Sequence, residues 1–158
     1  MPGARGVTAE TPAARSPFSA RLATRRPHHR VDLLLAVGVG GAVGTLVRYE
    51  VGVLVPTPTG GFPWATFIVN VAGAFILGLV TTLALERWPP TRYVRPIVGI
   101  GFCGGLTTFS TWMVEATQLV DAHHTGTAII FVVATTTVGL AALIVGVVAA
   151  RSSTRSLR

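Results

Sequence analysis

Long, mostly apolar runs separated by short connections set the pattern of this chain. Residues 33–55, 63–85, 97–120 and 127–150 are each more than 20 positions long and are dominated by Val, Leu, Ile, Ala and Gly. A helix needs about 20 such residues to cross a hydrocarbon core of about 30 Å. The pattern therefore predicts an all-α membrane protein with four transmembrane helices. These stretches use up most of the chain and leave no room for a second soluble domain. The expected organisation is one membrane domain over residues 31–151, preceded by a tail of residues 1–30 and followed by a short tail of residues 152–158.

Polar and small residues inside the runs carry the next level of information. The first run is rich in glycine, and the spacing of Gly40 and Gly44 puts two bare patches on one helix face, where another helix can approach closely. Helix packing is the favoured reading there and a ligand contact the alternative. The second run holds one strong polar group at depth, Asn70, near Gly73 and Gly78. The fourth is free of charge, and its Thr135, Thr136 and Thr137 either bond the preceding turn's carbonyls or face a pore; spacing alone leaves both open.

The third run differs from the others. It reads Gly101-Phe102-Cys103-Gly104-Gly105-Leu106-Thr107-Thr108-Phe109-Ser110-Thr111-Trp112, with Glu115 after it. Two glycines followed by two threonines make poor helix, and they fall where the chain must still be crossing lipid. Gly104 and Thr107 lie roughly 14–18 Å beyond Arg95 at the helical rise, which is about half the hydrocarbon thickness. The third helix is therefore expected to break near the midplane. Unwound backbone at that depth must be buried in protein or line a cavity, and such breaks form ion sites, with freed carbonyls for cations and helix N-termini for anions. A glycine hinge capped by threonine hydroxyls is the structural alternative.

Beyond the break Phe109 and Trp112 share a helix face, beside a polar stripe of Thr108, Thr111 and Glu115. Ring edges carry partial positive charge. Two such edges, with the Asn70 amide and the hydroxyls of Ser110 and Thr111, can replace the hydration shell of a small anion such as a halide. Arg48 lies about 22 Å along the first helix from Leu33, where it either snorkels to the interface or draws anions into a vestibule. Glu115 sits toward the same outer side, and pairing with Arg48 is the plain alternative for it.

Charge then gives direction. The thirteen basic residues are all Arg: six precede the first helix, Arg48 lies within it, Arg87, Arg92 and Arg95 lie between the second and third, and Arg151, Arg155 and Arg158 follow the fourth. The opposite connections carry none; residues 121–126 hold Asp121, His123 and His124 instead. By the positive-inside rule both termini are cytoplasmic, in a multi-pass protein of the cell inner membrane. The pI near 11.5 reflects these tails and loops rather than a folded basic face, so no nucleic-acid partner is expected. A composition of 50% hydrophobic and 12% charged residues, with a mean hydropathy of +0.61, requires that lipid cover part of the surface. The arginine-rich, proline-rich tail lacks the apolar surface to fold and is expected to be disordered; no cleavable signal peptide is expected, because the apolar run after it is too long. Cys103, the only cysteine, rules out an internal disulfide and is expected to be a small packing residue. The two histidines have too few ligands nearby for a metal site.

Together these motifs resemble the Fluc/CrcB fluoride channels over roughly residues 35–150. The resemblance rests on the pattern Gly40 to Tyr49, on Asn70, Gly73 and Gly78, and most specifically on the Gly101–Thr111 stretch with Glu115 after it. It implies an antiparallel, dual-topology-type dimer with two pores along the subunit interface and a central structural Na+ held by the backbone carbonyls of Gly104 and Thr107. Fluoride would pass Asn70, Phe109, Ser110, Thr111 and Trp112, with Arg48 toward the vestibule and Glu115 nearby, and would leave the cell passively. Two departures are evident. Trp112 stands where the family's second pore aromatic is usually Phe. The arginine bias also opposes insertion in both orientations, so the expected partner is an oppositely oriented homologue, with an antiparallel homodimer as the other case.

The competing transport class is a small proton-coupled four-helix drug or cation exporter. It needs a titratable carboxylate deep in the membrane, and the deepest here, Glu115, lies past the break. An enzyme is not expected, since Ser110, Thr107, Thr108 and Thr111 have no His or Lys base at depth.

Overall fold

The computed structural model describes residues 28–86 and 93–155, with side chains over 31–86 and 93–152. The tail expected at residues 1–30 falls outside the described residues up to residue 27, as do Arg87, Arg92 and Arg158. Helix α1 runs His28–Leu54, α2 Trp64–Glu86, α3 Arg95–Phe102, α4 Cys103–Leu106, α5 Ser110–Asp121 and α6 Thr125–Arg155. Segments α3 to α5 together make the third membrane segment, so four spans are long and apolar enough to cross a bilayer. The apolar runs and these spans agree to within a few residues. At the C-terminus α6 continues through Arg155, so part of the expected 152–158 tail is helical.

Helix α2 packs mainly on α6, and α1 on α3 and α4. Without a hydrophobic drive between helices in lipid, close van der Waals approach holds such pairs together, and glycine supplies it here. A β-carbon on Gly40 would strike the Ile97 carbonyl and one on Gly44 the Phe102 carbonyl. From the other side, Gly101 sits against the Val37 carbonyl and Gly105 against the Gly41 backbone. The α2–α6 pair repeats the device, with Gly78 on the Leu143 carbonyl and Gly146 on that of Phe75. Gly40 and Gly44 are thus packing residues. The outward faces remain apolar: Leu34 and Leu54 of α1 are 70% and 75% exposed, as suits hydrocarbon.

Two features of the third segment depart from a straight helix. Residues Arg95–Phe102 are wound as a π-helix, whose wide turn ends with the Cys103 N–H donating to the Val98 carbonyl. The chain then tightens to α-winding through the glycine pair and opens at Thr107, whose φ and ψ of −80° and 156° are extended. The expected break therefore exists, but one turn later than the glycines suggested. Gly104 and Gly105 are helical, and the threonines carry the opening.

At the end away from the termini, α5 and α6 meet α2 around Ala116, Leu119, Ala128 and the fully buried Phe131. Phe62, Trp64 and Phe67 add tilted and edge-on aromatic contacts to this core. Above it Gly60, at φ +71°, gives its bare face to the His124 imidazole, so the two loops at that end touch. Cys103 is buried as a free thiol.

Candidate functional site

Why the chain opens at Thr107 follows from where its amides go. The Thr108 N–H donates to Asn70 Oδ1 at 2.8 Å, and Asn70 Nδ2 donates to the Thr108 carbonyl at 3.1 Å. One side chain from α2 thus satisfies both backbone groups of a residue lifted out of the helix. Such groups left bare in lipid would each cost several kcal/mol. Gly73, one turn along α2, makes room for the break, because a β-carbon there would strike the Thr107 methyl.

The two broken ends are closed by threonine. Thr107 folds its hydroxyl back to the Cys103 carbonyl at 2.9 Å, an oxygen that also accepts the Thr107 N–H. Thr108 Oγ1 accepts the Thr111 N–H at 3.2 Å and donates to Thr111 Oγ1 at 3.0 Å, capping α5 from one residue ahead of its N-cap, Phe109. The hinge-capping role and an ion site are therefore not exclusive. Thr111 accepts from Thr108, and its own hydroxyl hydrogen stays free to donate.

The carbonyls from Gly104 to Thr107 lose their helical partners as a result. In a continuous helix the Gly104 oxygen would take the Thr108 N–H, which goes to Asn70 instead. The Thr107 oxygen would take the Thr111 N–H, which goes to the Thr108 hydroxyl. The geometry thus frees backbone oxygens at the opening, those of Gly104 and Thr107 among them. Neutral oxygens suit a hard cation, so this donor set fits the metal that the sequence resemblance implies. Gly104 is exposed, with open space where a β-carbon would stand.

Arg48 is half-buried and turned to the break, its Nη1 donating to the Thr107 carbonyl at 3.4 Å. It forms no ion pair with Glu115; among the described residues Arg151 pairs with Glu86, at 3.1 Å. Phe109 is 71% exposed, beside exposed Ser110 and Thr111. Trp112 turns inward, edge-on to Phe109 at 5.7 Å and against the Phe131 core, with its indole N–H buried and without a partner.

One turn further, Glu115 hydrogen-bonds Thr66 of α2 while its Oε2 is buried and unpartnered. It reaches the wall of a cavity of about 320 Å³ under the loop between α1 and α2, with Thr57, Gly60, Pro63 and Gln118. The threonines of α6 separate. Thr136 and Thr137 bond the carbonyls of Val132 and Val133, while Thr135 is buried, its hydroxyl unpaired.

Sequence reasoning missed Thr66, the direction of Thr135 and the clamp on Thr108. The first and last join residues 38 or more positions apart, which spacing within one helix does not reveal. Thr135 had a usable signal: it lies one turn from Phe131 on the same face of α6.

A family model described as CrcB-like protein, Camphor Resistance (CrcB), matches residues 35–147. Fluoride-specific ion channel FluC 3 of Streptomyces avermitilis is 47% identical over 126 residues, 80% of this chain and 62% of that protein. The matched region thus spans less than two thirds of that relative's length. Fluoride-specific ion channel FluC 2 of Nocardia farcinica is 40% identical over 126 residues, covering 80% of this chain and 90% of the relative. Fluoride-specific ion channel FluC of Chlorobaculum tepidum is 40% identical over 118 residues, 75% and 94% of the two chains. With four spans, a clamped midmembrane break and a family match that covers every membrane segment, this chain belongs to the CrcB-like family.

Proposed function

We propose that the chain is a fluoride channel that lowers cytoplasmic fluoride by passive export. The observation that carries this reading is the break at Thr107–Phe109, which frees backbone carbonyls and leaves hydroxyls and a ring edge exposed beside them. Hydrogen fluoride enters an acidified cell as a neutral acid, dissociates, and its anion leaves down its gradient. The exposed Phe109 edge and the Ser110 and Thr111 hydroxyls are donors for a dehydrated halide. Asn70 acts chiefly by holding the opening.

A structural sodium ion at the Gly104 and Thr107 carbonyls completes the site. Bound there, it would fix the two ends of the break relative to each other. A single chain leaves Gly104, Phe109, Ser110 and Thr111 uncovered, so the site is finished by a second subunit in antiparallel orientation. The arginine bias sets both termini in the cytoplasm of the cell membrane and favours one-way insertion. The partner is then an oppositely oriented homologue. Streptomyces avermitilis carries two of the relatives, FluC 2 and FluC 3, which supports pairing between different chains.

The test is fluoride efflux from liposomes without a proton gradient, first with this chain alone and then with a homologue of opposite arginine bias. Efflux only from the mixture supports both channel and pairing. A strict need for a proton gradient would favour the cation exporter. A reporter on the C-terminus found equally on both sides of the membrane would overturn one-way insertion.

A further inference from the structure

Arg48 brings a fixed positive charge to an oxygen that, on the reading above, also binds a cation. The guanidinium comes from α1 and donates to the Thr107 carbonyl at 3.4 Å, across 59 positions of sequence. Glu115, half-buried on α5, bonds Thr66, and Arg48 instead takes a neutral carbonyl that the break has released. An arginine inside a membrane span is rare and pairs with carboxylates or backbone oxygens. The oxygen it takes is one of those assigned above to the cation.

We propose that Arg48 is a positioning residue that shares the Thr107 carbonyl with the bound cation, so that cation binding and release of the Arg48 guanidinium are coupled. The proposal rests on the sodium assignment. The carbonyl is held by a guanidinium when the cation is absent, which keeps the opened backbone satisfied. When the cation is bound, a second positive charge shares the neighbourhood and the Arg48 contact weakens. Coupling between two ligands of one group is reciprocal, so Arg48 in turn raises the cation concentration the site requires. Its released charge is then available to an anion on the open side of the break, beside Ser110 and Thr111. One residue thereby ties occupancy of the cation site to attraction of the anion.

The experiment measures the thermal unfolding midpoint of the purified full-length channel, assembled with its partner where one is required, in sodium-free buffer titrated with Na+. At an effective dielectric of about 20, removing a unit charge changes affinity about a thousandfold at about 4 Å and about tenfold at about 12 Å, so even a guanidinium that has withdrawn from the carbonyl is worth about tenfold. Arg48→Gln is therefore expected to lower the half-maximal Na+ concentration about tenfold, while the charge-keeping Arg48→Lys stays near the wild type. An unchanged or higher Na+ requirement in Arg48→Gln overturns the proposal, even where fluoride efflux is intact. If neither wild type nor variants respond to Na+, the proposal falls with the sodium assignment, and the efflux assay still decides the channel reading by itself. Should Arg48→Gln not fold, wild-type protein labelled at the Thr107 carbonyl and at arginine nitrogen decides by NMR. Both signals are expected to move at the same Na+ concentration. Movement of the Thr107 carbonyl without Arg48 overturns the coupling.

Discussion

The α1–α3/α4 contact and the break at Thr107–Phe109 lie within a turn of each other, yet they solve opposite problems. At the first, glycines on both partners let backbones touch while every helix stays wound. At the second, side chains replace backbone partners and the helix comes apart. Adjacent residues fall on the two sides of this divide. Gly105 is sealed against Gly41, whereas Gly104, its neighbour, faces open space. Low helix propensity therefore does not decide where a membrane helix breaks; the availability of polar partners on a neighbouring helix does.

The sharpest way to break this comparison is to put a methyl group on each glycine in turn. Gly105→Ala is expected to abolish recovery of monodisperse protein, since its β-carbon would overlap the Gly41 carbonyl. Gly104→Ala should still yield folded chain. Equal recovery by size-exclusion chromatography would mean that the α1–α4 contact is loose.

Next in size is the clamp. Asn70→Leu strands the Thr108 N–H and carbonyl at a cost of about 1–3 kcal/mol each, and fluoride efflux is expected to fall on the order of a hundredfold. Asn70→Asp keeps the acceptor for the Thr108 N–H and should retain more activity than Leu. If Leu matches wild type, Asn70 does not hold the opening.

The cap comes third. Thr108→Val removes the acceptor of the Thr111 N–H, worth about 1 kcal/mol, and a fall of several degrees in Tm is expected, with Thr108→Ser close to wild type. An unchanged Tm in the Val variant would show that another group caps α5. The smallest effect belongs to Trp112→Phe. It deletes a buried indole N–H that has no partner, so stability should hold or rise by about 1 kcal/mol. A clear loss of fluoride efflux with Tm intact would instead assign that N–H to the anion.

The same divide explains what the sequence made legible. The four spans were readable because lipid demands an uninterrupted apolar length, a constraint local to each run. That the third segment opens was readable too, from Gly104 to Thr108. Its position was not, because the glycines and the threonines are both poor helix formers, and what separates them is Gly41 behind one pair and Asn70 behind the other. The turn of Arg48 toward Thr107 was equally hidden, since it depends on how α1 packs rather than on any spacing. Ser110, Thr111 and Phe109 were legible as a group because one restarted helix presents them together.

The wide winding of Arg95–Phe102 has a practical consequence for anyone mapping this protein. An ideal wheel advances 100° per residue at 3.6 residues per turn, and a π-wound stretch falls behind it at every step. Cysteine pairs chosen on such a wheel between Pro96 and Phe102 would point away from their intended targets. Cross-linking or spin-label grids through the inner half of this segment must therefore be drawn from the actual winding, or the neighbouring helix will be assigned to the wrong side.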